Sequence, residues 1–397
     1  MKIDPVKRAL ALRKTLKKDD RVMVVDFSET LQGKDTSRVI DLMPNVATGE
    51  YVFRAKVNIK EIDPMAAGVY GKDFKDVTKM SDAEIEGFVK RAEFDFPLWF
   101  KHNKGFSMGR VLDYNPPFIM QVAGCNFHDG SNTGGCRYCF VDNESNDGVV
   151  GSGKTYISAR EAVDSFVVAR GKVAAAYAEK GADLQMKVLR VSGGEPTIVL
   201  DWVLDLWREV ESRGLDCVGQ IDSNLSTGTL VDEFERQGIF EKHTLEKLAE
   251  FPVKVLTALK GVDASNLQDN VQSTATLKQQ LYSIKMFLTA GFDIFPQMYN
   301  PNPASLEGYL RKMDRQIENF ALRVHIGPLK AYGPTKARLQ AEAKALGIDE
   351  AAHLADVQAQ WDANYKNGCD VMNDYLQKTY GVGYRDVVRS DVGLKLR

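Results

Sequence analysis

The chain has 397 residues, 44% of them hydrophobic and 27% charged, with a formal net charge of −2. This composition suits one large α/β domain with additions, or two domains, and argues against an unspecific grip on nucleic acid. No apolar run approaches the ~18 residues of a membrane span, and the start, MKIDPVKRALALRKTLKKDD, lacks the apolar core of a signal peptide.

Residues 1–116 read as an N-terminal α+β extension: a basic helix-like start, strand-like runs RVMVVDF and YVFRAKVNI, and a helix from Ser81 with Glu84 as capping partner. From residue 117 a regular alternation begins. The apolar run Pro117 to Ala123 predicts a buried strand. A helix follows from Ser158, where Ser158 and Glu161 form a capping box, with Val163, Phe166, Val167, Val173, Ala174 and Tyr177 on its apolar stripe. Then come strand MKVLRVS and a helix near 198–213, whose core stripe or its margin takes Trp202 and Trp207. Strand CVGQI precedes helical sequence at 229–250, and strand VKVLTAL a helix at 275–290. Strand FDIFPQM leads to a helix at 305–319, and ALRVHIG is the last strand. Strands joined by helices are parallel and buried on both faces, which predicts a doubly wound sheet or a barrel. Residues 117–335 form this core, and 336–397 read as a mostly helical extension.

Three of the five cysteines, Cys125, Cys136 and Cys139, lie in one stretch after the first strand, spaced C-x10-C-x2-C. Five cysteines so arranged are no disulfide framework; the three are metal ligands or redox groups, and a reducing cytoplasm is the expected compartment. Cys217, in an apolar run, reads as core, and Cys369 carries no chemical argument. Thiolates suit zinc or an iron–sulfur cluster. Cys125-x2-His128 followed by Cys136-x2-Cys139 is a credible Cys3His zinc set, which leaves open a zinc-stabilised, non-catalytic binding protein on a β/α scaffold. Three cysteines without a fourth ligand would instead leave one iron of a cluster open.

The other chemical residues also follow strands. Gly193-Gly194-Glu195-Pro196 ends the second, where glycines permit close backbone approach and Glu195 can accept from an ammonium group. Asp222-Ser223-Asn224 follows the third strand, Lys260 the fourth and Asn300-Pro301-Asn302-Pro303 the fifth; His325 ends the last. Loops at the carboxyl ends of parallel strands form one rim, where sites gather. GVVGSGKT, 148–155, matches the phosphate-loop pattern G-x4-G-K-S/T in form, but a polar stretch precedes it and TYIS follows it.

With a cysteine triad followed about fifty residues later by GGEP, the chain resembles the radical SAM superfamily over residues 117–330. That resemblance implies a partial (β/α)6 barrel. It implies Cys125, Cys136 and Cys139 as ligands of a 4Fe–4S cluster whose open iron takes S-adenosylmethionine, with Tyr138 near the adenine. Gly193, Gly194, Glu195 and Pro196 would meet the methionine amino group. Asp222, Ser223 and Asn224 look like the D/E-T-N element of glycyl-radical activases and deazaguanine ring-forming members, and Lys260 like the activase lysine that meets the SAM carboxylate. The family's usual first spacing is three residues; here it is ten. The implied activity is reductive SAM cleavage and hydrogen-atom abstraction from a protein, peptide or small molecule. Flavodoxin or ferredoxin would be the electron donor.

Overall fold

The computed structural model describes residues 3–26, 30–31, 42–44, 53–55, 118–151, 153–178, 186–331, 333–387 and 389–397. The helix expected from Ser81 lies outside them. Helix α1 (Pro5–Leu16) starts with proline at its first position, and Asp4 accepts from the amides of Val6 and Lys7. Short strands β1 (Lys17–Lys18), β2 (Arg21–Val25), β3 (Leu42–Pro44) and β4 (Phe53–Ala55) precede β5 (Phe118–Val122), the expected strand before the cysteines. After the cysteine loop come α2 (Asn143–Asn146), β6 (Lys154–Ser158) and α3 (Ala159–Ala178). The Ser158–Glu161 capping box forms, with the Ser158 amide donating to Glu161 at 2.7 Å. Val163 and Phe166 are buried on α3, whereas Val167, expected on the same stripe, is 41% exposed.

The alternation continues through β7 (Val188–Gly193), a 3-10 turn (Pro196–Val199), α4 (Leu200–Ser212), β8 (Val218–Ser223), α5 (Gly228–Arg236) and α6 (Thr244–Ala249). It goes on through β9 (Val253–Leu259), α7 (Ala264–Asn270), α8 (Leu277–Thr289), β10 (Asp293–Tyr299) and α9 (Pro303–Asp314). The chain ends with β11 (Ile317–Glu318), α10 (Phe320–Arg323), β12 (His325–Gly327), α11 (Gly333–Leu346), α12 (Glu350–Tyr380) and β13 (Lys395–Leu396). Two elements differ from expectation. ALRVHIG is strand only in its last three residues, because Phe320–Arg323 turns as a helix. Helix α7 stands in the long connection after β9, started by Asp263, whose side chain accepts from the Asn266 amide.

The strands β5-β7-β8-β9-β10-β12 are parallel neighbours in that order, within an eleven-stranded sheet that β2 extends antiparallel at the β5 edge. β12 pairs with β10 and not with β5, so the described strands form an open partial β/α barrel. Right-handed helical crossovers of the kind that join parallel strands put every carboxyl end on one rim.

Register separates the two faces. Outward residues such as Val191, Ile221, Val255, Ile294 and Met298 are fully buried under the helices. Trp202 and Trp207 fill this layer as core residues, and Cys217 joins it, its thiol pushed up to about 12 by burial. The inward face is polar: Gln121 stands opposite Ser192 across β5 and β7, and Arg190 opposite Gln220 across β7 and β8. At its floor Asp293 joins Lys254 at 2.6 Å and Arg323 at 2.7 Å, both cations almost wholly buried. An ion-paired floor satisfies charges that the interior would otherwise expel. The GVVGSGKT segment runs into β6, which pairs antiparallel with β2, and the Lys154 ammonium is held by Asp147 and the Val149 carbonyl. A phosphate loop needs a helix at that point, so the phosphate-loop reading fails.

Candidate cluster site

The cysteine loop is fixed at both ends by backbone. The Cys125 amide donates to the Asn146 carbonyl at 2.8 Å, and Cys139 to Cys136 at 2.9 Å, which closes the C-x-x-C turn. Arg137 donates to the Asn270 carbonyl at 2.9 Å, and Cys136 bridges Val271, so the loop is hooked to the end of α7. A small apolar cluster separate from the main core surrounds it, in which Phe127 and Tyr138 pack with Leu339 of α11 and Val357 and Trp361 of α12.

GGEP joins this loop at its other side. Gly194 donates to the Val122 carbonyl at 2.9 Å and Glu195 to the Gly124 carbonyl at 3.1 Å. A Cβ on Gly194 would sit 1.7 Å from the Gly124 oxygen, and one on Gly193, whose φ is +100°, 2.3 Å from Gln121 Cγ. The glycines are therefore required by the contact between two strand ends, a reason different from the ligand approach expected from sequence.

Glu195 is fully buried. Its carboxylate accepts from the Thr197 hydroxyl, from the Asn224 amide at 2.7 Å and from Ser223. It thereby ties the end of β7 to the end of β8. Burial pushes its carboxyl up to about 7, against these hydrogen bonds. Since the folded value lies above the unfolded one, the folded state holds the proton more tightly, and stability falls as pH rises from about 4.5 through 7. The stability difference between wild type and Glu195→Gln should fall by about 3 kcal/mol between pH 4.5 and pH 8. Thermal melts across that range check it; a difference independent of pH refutes it.

Asn224 comes from the same turn, and its side chain reaches Cys125 Sγ at 3.8 Å and Asn126 Oδ1 at 2.7 Å. Asn146 donates to Cys139 Sγ at 3.6 Å. Lys260 is buried beside Cys136, its ammonium 5.4 Å above the Tyr138 ring. Cys125 and Cys139 thus each accept from a side-chain amide, and Cys136 lies beside the Lys260 ammonium. Burial foremost, then Cys136 and Cys139, push the Cys125 thiol up. Burial also raises Cys136 despite Lys260. Burial by itself would lower the Lys260 ammonium, but the surrounding thiols, Cys136 first, outweigh it and raise it. Tyr138 packs against Tyr299 at 5.8 Å, and its buried hydroxyl oxygen has no hydrogen-bond partner among the described residues.

Asp222 does not reach the loop. It lies one step inside the barrel, paired with Arg190 at 2.6 Å and with Ser192 and Gln220. Asn300 has φ +48° in the turn after β10, and Asn302 caps α9. His325 stacks on Phe295 at 6.3 Å.

His128 is buried rather than an open loop residue, and burial holds its imidazole below the usual value. Its Nδ1 accepts from the Gly130 amide and its Nε2 meets Asn143 Oδ1, both at 3.0 Å. Both ring nitrogens are engaged. Among the described residues no three His, Cys, Asp or Glu side chains form a set that could hold a metal ion. The engagement of His128 counts against the Cys3His zinc reading; the absence of a ready-made donor set bears equally on every metal or cluster that the three cysteines would hold.

Sequence reasoning missed the residues that hold the loop from a distance. Arg338 on α11 is 2% exposed and donates to the Cys139 carbonyl at 2.6 Å, to Val141 O at 3.2 Å and to Asn143 Oδ1 at 2.7 Å. Thr335 also donates to the Cys139 carbonyl. On the opposite side Arg8 of α1 donates to the His128 and Asp147 carbonyls. Arg338 of the C-terminal extension and Arg8 of α1 therefore clamp the cysteine loop. Arg338→Ala removes three buried, charge-assisted hydrogen bonds and should cost about 3 kcal/mol. A drop in melting temperature, with less iron retained after anaerobic loading, is expected; wild-type values for both would show the clamp to be idle.

No protein-family model matches the chain, and no curated protein does. Among solved structures, a cobalamin-dependent S-adenosylmethionine radical enzyme, OxsB with aqua-cobalamin bound, is similar at 9% identity with a TM-score of 0.36. The alignment covers 58% of this chain and 36% of that one, so the chain spans about a third of that structure's length. A likeness this loose carries no functional argument. No helix among the described residues is long and apolar enough to cross a membrane.

Proposed function

We propose that the chain is a radical SAM enzyme that holds a 4Fe–4S cluster on Cys125, Cys136 and Cys139 and binds S-adenosylmethionine. The observation that carries this reading is the surroundings of the three cysteines in the loop after β5: side-chain amides of Asn224 and Asn146 donate to Cys125 and Cys139, and the buried Lys260 ammonium lies beside Cys136. Hydrogen bonds to sulfur and burial are the protein's means of setting a cluster's potential. When bound, the group supplies one-electron reductive cleavage of S-adenosylmethionine.

The chain's own residues bind, orient and exclude. Lys260 provides a buried cation beside Cys136, suited to the SAM carboxylate. Glu195 is committed to Thr197, Ser223 and Asn224, so backbone carbonyls of the Gly193–Gly194 turn are the better acceptors for the SAM ammonium. Tyr138, backed by Tyr299, offers a ring to the adenine. Pro196 starts the 3-10 turn that fixes the glycine pair against Cys125. Of the Asp222-Ser223-Asn224 element only the last two act at this site, and the polar inner face of the barrel with Arg190–Asp222 is left for the substrate.

We take the enzyme to be cytoplasmic, reduced by a flavodoxin or ferredoxin, with a peptide, protein or small molecule as substrate. Residues 1–116 and 336–397 then act as extensions that support the 117–335 core. Anaerobically purified protein should be brown, absorb near 400 nm and carry about four irons; adding dithionite and S-adenosylmethionine should release 5′-deoxyadenosine. A colourless protein with one zinc would sink the proposal.

A further inference from the structure

A cavity of about 390 Å³ opens beside the cysteine loop, between α7, the turn before α9, and the C-terminal helices α11 and α12. That volume lies within the range of ligand-binding clefts. Of its eleven lining residues seven are carboxamides and none is apolar or aromatic. Three of the lining amides are tied together at Asn300, which accepts from Asn364 at Oδ1 at 2.8 Å and from Asn266 at its carbonyl at 2.9 Å, and donates to Asn270 behind the lining at 2.7 Å. Held amides lose little freedom when a ligand arrives. Gln272 and Gln360 stand exposed at the rim.

The lining selects against several ligands. Its single cation, Arg137, is paired bidentately with Glu342 at 2.9 Å, and Asp269 adds a negative charge, so a phosphate meets no net attraction. Without an aromatic face there is no platform for a base or a sugar ring. Without apolar lining an acyl chain gains nothing. A carboxamide presents one acceptor and a pair of donor hydrogens, as complementary to a peptide group as another peptide group is. Extended peptides are commonly held through their main chain, which needs donors and acceptors along an open surface.

We propose that this cavity binds an extended, uncharged peptide segment through main-chain hydrogen bonds. Arg137 stands between Cys136 and Tyr138, so the bound segment lies against the loop that carries the thiols. Binding of this kind requires no cluster on the thiols.

The test uses the full chain carrying ¹⁵N-labelled Asn and Gln, titrated with N-acetyl-tetraalanine amide and, separately, with methyl glucoside and inorganic phosphate. The peptide should move the Asn300 and Asn364 side-chain amide signals saturably, while the other two should not. The double variant Gln272→Leu/Gln360→Leu, altered only at exposed rim positions, should bind the peptide about ten-fold more weakly. Absence of a saturable peptide shift overturns the proposal. So does a comparable shift with glucoside or phosphate, or unchanged affinity in the double variant.

Discussion

Gly194→Ala should be severely destabilising, since its added Cβ makes the shortest contact found at any described glycine. Its new methyl would lie 1.7 Å from the Gly124 oxygen, 2.2 Å from the carbonyl carbon and 3.0 Å from the Cys125 nitrogen. All three are backbone atoms, so no side chain can swing aside. Overpacking in a yielding core costs about 1–3 kcal/mol; here the neighbour is a strand end carrying a thiol, and the cost should reach the top of that range or exceed it. Urea denaturation should show a lowered midpoint, and anaerobic iron loading should fall with it. Gly171→Ala is the control, because nothing lies within 4 Å of a Cβ there and the residue is inside α3, where alanine is the better helix former. Equal stability for Gly194→Ala and Gly171→Ala would mean that the two strand ends do not meet as described.

Cys136→Ala carries the second large effect. Cys136 is buried at the hook between the loop and Val271, beside the buried Lys260 ammonium. Removing the thiol takes a proposed ligand out of the set and leaves the buried Lys260 ammonium facing a smaller, apolar side chain. Release of 5′-deoxyadenosine should fall at least about a thousandfold, and the 400 nm absorbance should be lost or much reduced. Cys217→Ala, altered in the core away from the loop, should keep both, at a modest loss of stability. Full SAM cleavage by Cys136→Ala would remove this residue from the ligand set.

The strand–helix order was legible because its signals are local. Runs such as FIMQV and VLRVSG are short and apolar, the helices carry stripes at helical spacing, and capping residues such as Ser158 mark a start within four residues. Where local signals are ambiguous, the reading slipped. ALRVHIG holds enough apolar residues for a strand, yet the Phe320–Arg323 turn places buried Arg323 against Asp293, and a long-range ion pair prevails over local propensity. Helix α7 went unread because ASNLQDN is polar and carries no apolar stripe.

By itself the sequence determined a parallel strand–helix core, a thiol triad at the end of its first strand, and further chemical residues at the ends of the next three. Tertiary structure decided what those residues do. It packed the GGEP glycines against the end of β5, gave Cys125 and Cys139 an amide donor each, turned Asp222 towards Arg190 and engaged both nitrogens of His128. It also brought Arg338 onto the Cys139 carbonyl from nearly two hundred residues away. The physical reason is separation along the chain: a hydrogen bond between distant residues leaves no periodicity, cap or turn signal in the sequence around either partner. Only the sheet register and the packing of α11 and α12 on the loop bring such partners together.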